Sequence, residues 1–264
     1  MPATKIAIVG AAGRMGLELL AAAAAAPDDY QVIAAIERPE SGRLGSPLGP
    51  QQIISIGSLD ECVAECDVVI DFSSPASCLS AARVATGAGV RFVSGTTGLD
   101  AAQRAELAAC ARGAAMIHAA NFSVGVNILS HLVELAARAT GPGFDLEVFE
   151  AHHRRKLDAP SGTALLLGEA AARGRGLDLP DAATWSRHGH TGARAQDTIG
   201  FQVVRGGDIV GEHTVFMCAD GERLEFTHRA TDRGIFARGA LRAARWLVGR
   251  RPGLYTMHDV LFGA

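Results

Sequence analysis

Through the first half of the chain, short apolar runs rich in β-branched residues alternate with alanine-rich stretches. Ile6–Val9, Gln31–Ile36, Ile53–Ile56, Val68–Asp71, Arg91–Ser94 and Ala115–His118 each read as a strand. Between several of them, Gly13–Ala26, Pro75–Gly87 and Asp100–Arg112 read as helices. Strands that are apolar at nearly every position are covered on both faces. Interleaved with helices, they predict an α/β domain with a Rossmann-like, doubly wound parallel sheet.

Beyond about Val124 the pattern changes. Val126–Ala139 predicts a long helix, broken by Gly141-Pro142-Gly143. A strand then leads into the polar segment Glu150–Ala164, and a helix follows from about Ser161 to Arg173. Ile199–Arg205, Asp208–Met217 and Arg223–His228 read as consecutive antiparallel strands, with Gly206-Gly207 as the turn of a hairpin. The tail Ile235–Val248 is amphipathic and helical. A second α+β domain, built on an open, mainly antiparallel sheet, is therefore expected.

Size and charge narrow the classes. The 264 residues are 48% hydrophobic, enough to bury one large core or two modest ones. A net charge of −3 argues against nucleic acid or an anionic membrane surface as partner. Five scattered cysteines lack zinc-ribbon or C-x-x-C spacing, and no metal is expected. The apolar stretch Leu19–Ala26 is far shorter than the ~20 residues of a membrane span. With no secretory leader read at the start, a cytoplasmic protein is expected.

The first candidate site follows the first strand. Gly10-Ala11-Ala12-Gly13-Arg14-Met15-Gly16 opens the first helix as a variant of G-x-G-x-x-G, with Ala12 in place of the central glycine. Such a turn brings backbone N–H groups and a helix N-terminus up to a pyrophosphate. Glu37 ends the second strand, about where an acidic residue grips the adenosine ribose diol. Arg38 beside it offers a partner for a 2′-phosphate, so NADH, NADPH or both fit the pattern. Two later turns, Gly95-Thr96-Thr97-Gly98 and Ala119-Ala120-Asn121-Phe122, follow the fifth and sixth strands. Ligands of open parallel sheets gather at such strand ends.

The second candidate site is Glu150–Ala164, reading E-A-H-H-R-R-K-L-D-A-P-S-G-T-A. Lys156 stands out because Lys5 is the one other lysine, the remaining 23 basic residues being arginine. Arginine is permanently protonated, whereas an ammonium exchanges its proton when its surroundings shift its pKa. His152 and His153 sit side by side at a strand end and so point to opposite sides. Their spacing matches no zinc site, and a general acid is the better reading. In Pro160-Ser161-Gly162-Thr163, a hydroxyl caps the following helix, making an anion site beside Lys156. Asp158 reads as orienting the loop, and Arg154 and Arg155 as solvated charge.

With both segments in hand, the chain resembles the 4-hydroxy-tetrahydrodipicolinate reductase family, also called dihydrodipicolinate reductases. The resemblance runs through Gly10–Gly16, Glu37-Arg38, Gly95-Thr96-Thr97, Ala120–Asn127, the E-A-H-H-x-x-K-x-D-x-P-S-G-T block, Gly206–His213 and the Arg233 region. It implies nicotinamide-dependent reduction with loss of water, in the diaminopimelate route to lysine. It also implies His152 as proton donor and Lys156 as second donor or charge stabiliser. His153, Gly162, Thr163 and Thr97 would then contact the substrate, with Arg233 clamping a carboxylate or shaping its pocket. The family pattern further implies a dinucleotide domain of residues 1–123 plus 234–264, a substrate domain of residues 124–233, and a homotetramer.

Two other readings compete. A dehydrogenase of the homoserine type would share the first domain but leave the histidine-lysine block without a purpose. A non-enzymatic, dinucleotide-sensing regulator would call for a recognition helix or basic patch, and neither is evident.

Overall fold

The apolar runs of the first half form β1 (Thr4–Val9), β2 (Tyr30–Ile36), β3 (Pro47–Leu48), β4 (Ile53–Ile56), β5 (Val68–Asp71), β6 (Arg91–Ser94) and β7 (Ala115–His118). Helices α1 (Arg14–Ala24), α2 (Pro75–Gly87) and α3 (Ala101–Cys110) lie between them. Next come α4 (Val124–Thr140), β8 (Asp145–His152), α5 (Gly162–Arg175), α6 (Leu179–Ala182) and β9 (Ala183–Thr184). The chain ends with β10 (Ile199–Arg205), β11 (Gly211–Ala219), β12 (Glu222–Ala230), α7 (Gly234–Leu247), β13 (Gly253–Tyr255) and α8 (Met257–Phe262). This computed structural model describes residues 2–263. They divide into two units, 2–123 with 233–263, and 124–232. Arg233 thus clusters with the first unit, one residue away from the boundary expected from sequence.

The first unit is built on an eight-stranded sheet of order β13-β7-β6-β5-β1-β2-β4-β3, parallel except at β3–β4. Ile6, Ile8, Val68 and Ile70 are fully buried under Leu19 and Leu20 of α1 and the alanines of α7. Complete burial of such side chains stabilises by about 1.5–3 kcal/mol each before entropy is counted. The opposite face carries α2 and α3 over Val69 and Phe92. Helix α3 starts cleanly because Asp100 and Gln103 form a reciprocal capping box. On α7, Ala237, Ala240, Leu241, Ala244 and Leu247 form one buried stripe at helical spacing. A side chain at Gly239 would strike the Phe122 carbonyl, so this helix needs glycine there to approach the sheet.

The second unit carries a mainly antiparallel five-stranded sheet of order β12-β11-β8-β10-β9. Helices α4 and α5 cover one face through Leu129, Val133, Ala164 and Leu167, against Val148, Phe201, Val215 and Met217. One expectation fails here. Ile199–Arg205 and the following strand do not form a hairpin across Gly206-Gly207. Strand β8 lies between them, parallel to β10 and antiparallel to β11. The connection instead wraps the end of β8, with Gly206 N–H donating to His152 O and His153 N–H to Ile209 O. Five of the eight residues of β8 are buried, so its backbone needs partners on both edges, and a local turn cannot supply that. Among the described residues no helix is long and apolar enough to cross a membrane.

Candidate active site

In the first unit a cleft of about 740 Å³ opens at the carboxyl ends of β1, β2 and β5. The strand order reverses between β1 and β5, the place where such sheets hold ligands. Gly10, Ala12, Gly13, Glu37 and Arg38 line this cleft, with Phe72, Ser73 and Ser74 opposite. Gly10 has φ +76°, and a Cβ there would lie 2.7 Å from the Phe72 carbonyl oxygen. Glycine therefore lets the turn lie against the Phe72–Ser73 main chain, and it brings the backbone of Gly10, Ala12 and Gly13 to the wall of the cleft, as a pyrophosphate-binding turn does. Ala12 N–H donates to Glu37 Oε1 at 3.0 Å, so the buried glutamate braces the turn as well as lining the cleft. Gly10, Ala12, Gly13, Glu37 and Arg38 fit a dinucleotide.

The remaining predicted cofactor residues are placed differently. Arg14 opens α1 and is exposed, Met15 packs against the core, and Ala11 is fully buried. Phe122 is also buried, tilted against Phe72 at 5.7 Å, which leaves only main chain to meet a ligand at 11 and 122. Gly95 fits beneath the Phe72 ring, which any Cβ would strike. Thr96 is committed to structure. Its hydroxyl donates to Asp71 Oδ2 at 2.7 Å and accepts from Ser73 N–H at 2.9 Å, tying the β5 and β6 loops together. Asp71, fully buried, also takes hydrogen bonds from Ser73 and Ser94. Thr97 and Ala120 are exposed, and Ala119 and Asn121 half-buried. Asn121 Oδ1 accepts from Ser123 N–H at 2.8 Å. Arg233 stands at the N-cap of α7, half-buried.

In the second unit the histidine-lysine block gathers around one buried carboxylate. Glu150 and His152 are two apart on β8 and therefore share a face. Glu150 Oε2 lies 2.5 Å from His152 Nδ1. Arg205, at the end of β10, grips both Glu150 oxygens at 2.8 Å and reaches Asp158 O at 2.7 Å. Ser161 N–H donates to Glu150 Oε1 at 3.0 Å. Burial alone would raise the Glu150 pKa; the hydrogen bonds from His152, Arg205 and Ser161 overcome that and hold it at about 2.

Ser161 is the N-cap of α5, its hydroxyl accepting from Ala164 N–H at 3.1 Å and lying 3.0 Å from His213 Nε2. His213 stacks edge-on against His152 at 5.1 Å. Burial pushes its pKa down to about 3, and the neighbouring His152 acts in the same direction, so His213 is neutral at ordinary pH. Lys156, half-buried, pairs with Asp158 Oδ2 at 2.9 Å. Desolvation is the largest single influence and raises the Asp158 pKa, but the Lys156 hydrogen bond, a backbone hydrogen bond and the Lys156 and Arg205 charges together hold it below the usual carboxylate range. His153 is half-buried on the other side of the strand end, where its Nδ1 accepts from Arg155 N–H. Gly162 is exposed and a Cβ there would meet nothing within 4 Å, while Thr163 is half-buried.

Glu150, Arg205 and His213 were absent from the expected site. The E-x-H spacing on a strand was the available signal for Glu150. No local pattern marks Arg205, and His213 stood only at the end of the Gly206–His213 stretch, with no role assigned. Both reach the site as neighbours in the sheet, where Arg205 pairs with His152 and His213 with Glu150.

A doubly wound domain with a dinucleotide cradle, joined to a domain holding an imidazole, an ammonium and a helix N-terminus, defines a nicotinamide-dependent reductase. Two family models cover nearly the whole chain: dihydrodipicolinate reductase, N-terminus, over residues 4–122, and dihydrodipicolinate reductase, C-terminus, over residues 125–261. The chain belongs to the dihydrodipicolinate reductase family. It is 50% identical over 265 residues to a 4-hydroxy-tetrahydrodipicolinate reductase of Acinetobacter baumannii, covering 98% of this chain and 96% of that one. A Pseudomonas fluorescens protein of the same name is 49% identical, covering 97% and 98%. A dipicolinate-bound dihydrodipicolinate reductase from Paenisporosarcina sp. TG-14 shares the fold, with TM-score 0.79 and 22% identity over 97% of this chain and 98% of that one.

Proposed function

We propose that this chain reduces 4-hydroxy-tetrahydrodipicolinate to tetrahydrodipicolinate with loss of water, in the diaminopimelate route to lysine, and that His152 and Lys156 handle the protons. A bound reduced nicotinamide supplies hydride to C4 of the unsaturated ring left when the 4-hydroxy group departs. His152 gives the proton that offsets charge developing on the conjugated enamine. Lys156 acts as a second donor or stabilises that charge. The N–H groups at the start of α5, at Gly162 and Thr163, together with His153, receive the two carboxylates. Thr97 and Arg233 are further contacts to the substrate. Glu37 takes the adenosine ribose diol and Arg38 is placed for a 2′-phosphate, so the cofactor is NADH, NADPH or both.

The observation that carries this reading is the imidazole of His152, buried and hydrogen-bonded to Glu150 through one nitrogen alone. A proton donor needs one nitrogen anchored and the other free to act. The reading extends to a cytoplasmic homotetramer, supported by five free thiols and by Val203, Val204 and Leu224 exposed on the second sheet. Light scattering in solution tests the assembly. For the activity, the purified protein is given the condensation product of pyruvate and aspartate semialdehyde, or homoserine with oxidised dinucleotide, and absorbance of the reduced nicotinamide is followed. His152→Gln should abolish most turnover of the first while leaving dinucleotide affinity within about twofold. Turnover of homoserine alone, or full activity of His152→Gln, would refute the reading.

A further inference from the structure

We propose that Glu150, held ionised by Arg205, is a positioning residue that sets the proton-donating state of His152 and fixes the carboxylate-binding end of α5 in the same stroke. The inference rests on the reading of His152 as proton donor. Glu150 is fully buried, yet both its oxygens are used. One meets His152 Nδ1 and Arg205 Nη1, the other Ser161 N–H and Arg205 Nη2. A single carboxylate thereby joins the strand that bears the acid to the helix terminus beside it. Arg205 reaches further, to Asp158 O, and Asp158 carries the Lys156 ion pair.

The chemistry follows from the donors. An ionised carboxylate accepts only, so it keeps a proton on Nδ1 and leaves Nε2 as the atom that gives its proton up. After transfer the ring is neutral with Nδ1–H still bound, and no tautomer change is required. A neutral amide cannot substitute. Its NH2 would face either His152 Nδ1–H or the donors Ser161 N–H and Arg205, and one clash of donors remains in either orientation. Arg205 has the opposite electrostatic effect, since its charge opposes a second positive charge on the imidazole. The other titratable or charged groups around the ring are His213 on β11, Lys156 and Asp158 in the loop after β8, and His228 on β12 beyond His213.

The test compares kcat/KM against pH for the native protein, Glu150→Gln and Arg205→Met, alongside thermal melting and NADH titration. Glu150→Gln should lower kcat by about 10²-fold, the size of effect seen when a hydrogen-bond partner orienting a functional histidine is lost. Its alkaline limb should move to lower pH, because the imidazolium has lost its anion. Arg205→Met should move that limb to higher pH, because Glu150 keeps its charge with one cation fewer. NADH affinity should stay within about twofold in both, since the cradle lies in the other unit. Limbs that coincide with the native one, or that move the same way in both variants, overturn the proposal whatever happens to rate or melting temperature. If Glu150→Gln does not fold, the direction of shift in Arg205→Met decides alone. Full activity of His152→Gln would mark the failure of the underlying reading instead.

Discussion

The backbone N–H of Ser161 donates to Glu150 across 3.0 Å, so the first turn of α5 is anchored to the strand that carries His152. The intervening chain, residues 151–160 with Lys156 and Asp158 among them, is thereby closed into a loop whose two ends cannot drift apart. Groups meant to meet one small substrate must hold their spacing closely, and a shared buried carboxylate does that better than packing of an exposed loop.

Gly162 is free of steric demand, since a Cβ there would touch nothing within 4 Å. Gly162→Ala should therefore fold with unchanged or slightly higher melting temperature, alanine being the better helix former by about 1 kcal/mol. Its KM for the dicarboxylate should rise about tenfold, because the methyl group stands where the open N–H meets a carboxylate. An unchanged KM would remove the start of α5 from substrate binding.

Lys156→Arg retains the charge and the reach to Asp158, whose partner is 2.9 Å from Nζ at present. A guanidinium neither gives up a proton nor offers a compact charge. Turnover should fall at least about tenfold with little change in NADH binding. Steady-state rates at saturating substrate check this, and full retention would assign Lys156 to loop structure only.

Stability should decline with acid in two stages. His213 has an ordinary value of 6.5 and is pushed to about 3 by burial, so the unfolded chain takes up a proton there first. Its contribution is complete above about pH 6.5 and is lost progressively down to about pH 3. Glu150 falls from 4.5 to about 2, so its share is complete above about pH 4.5 and is lost below that. At about 1.36 kcal/mol per pKa unit, the Glu150 share is on the order of 3 kcal/mol. Urea midpoints measured from pH 8 to pH 3 should fall, and His213→Gln should flatten the segment between pH 6.5 and 4.5. A flat native curve there would contradict burial of a neutral His213.

Gly10→Ala combines a left-handed φ of +76° with a Cβ 2.7 Å from the Phe72 carbonyl oxygen. It should cost about 1–2 kcal/mol of stability for the conformation alone. The displaced turn should also weaken dinucleotide binding by tenfold or more, read by fluorescence titration. Native-like affinity would remove the turn from the cofactor site.

Local grammar sufficed for much of this protein. Strands Ile53–Ile56, Val68–Asp71, Arg91–Ser94, Ala115–His118 and Ile199–Arg205 and helix Pro75–Gly87 have the limits that their own residues predict. Continuous apolar runs stopped by glycine, proline or a capping side chain carry that information within a few residues. The glycine turn, Glu37 and the His152–Lys156 block were legible for the same reason, each being a short motif with its chemistry in adjacent positions. The hairpin at Gly206-Gly207 was misread because a turn signal says that the chain bends, not which strand it will pair with. Only the tertiary structure decided that β8 lies between β10 and β11. That register sets Arg205 beside His152 and His213 beside Glu150, residues more than fifty positions apart whose meeting is settled by which sheet edge satisfies the most backbone hydrogen bonds and buries the most apolar surface.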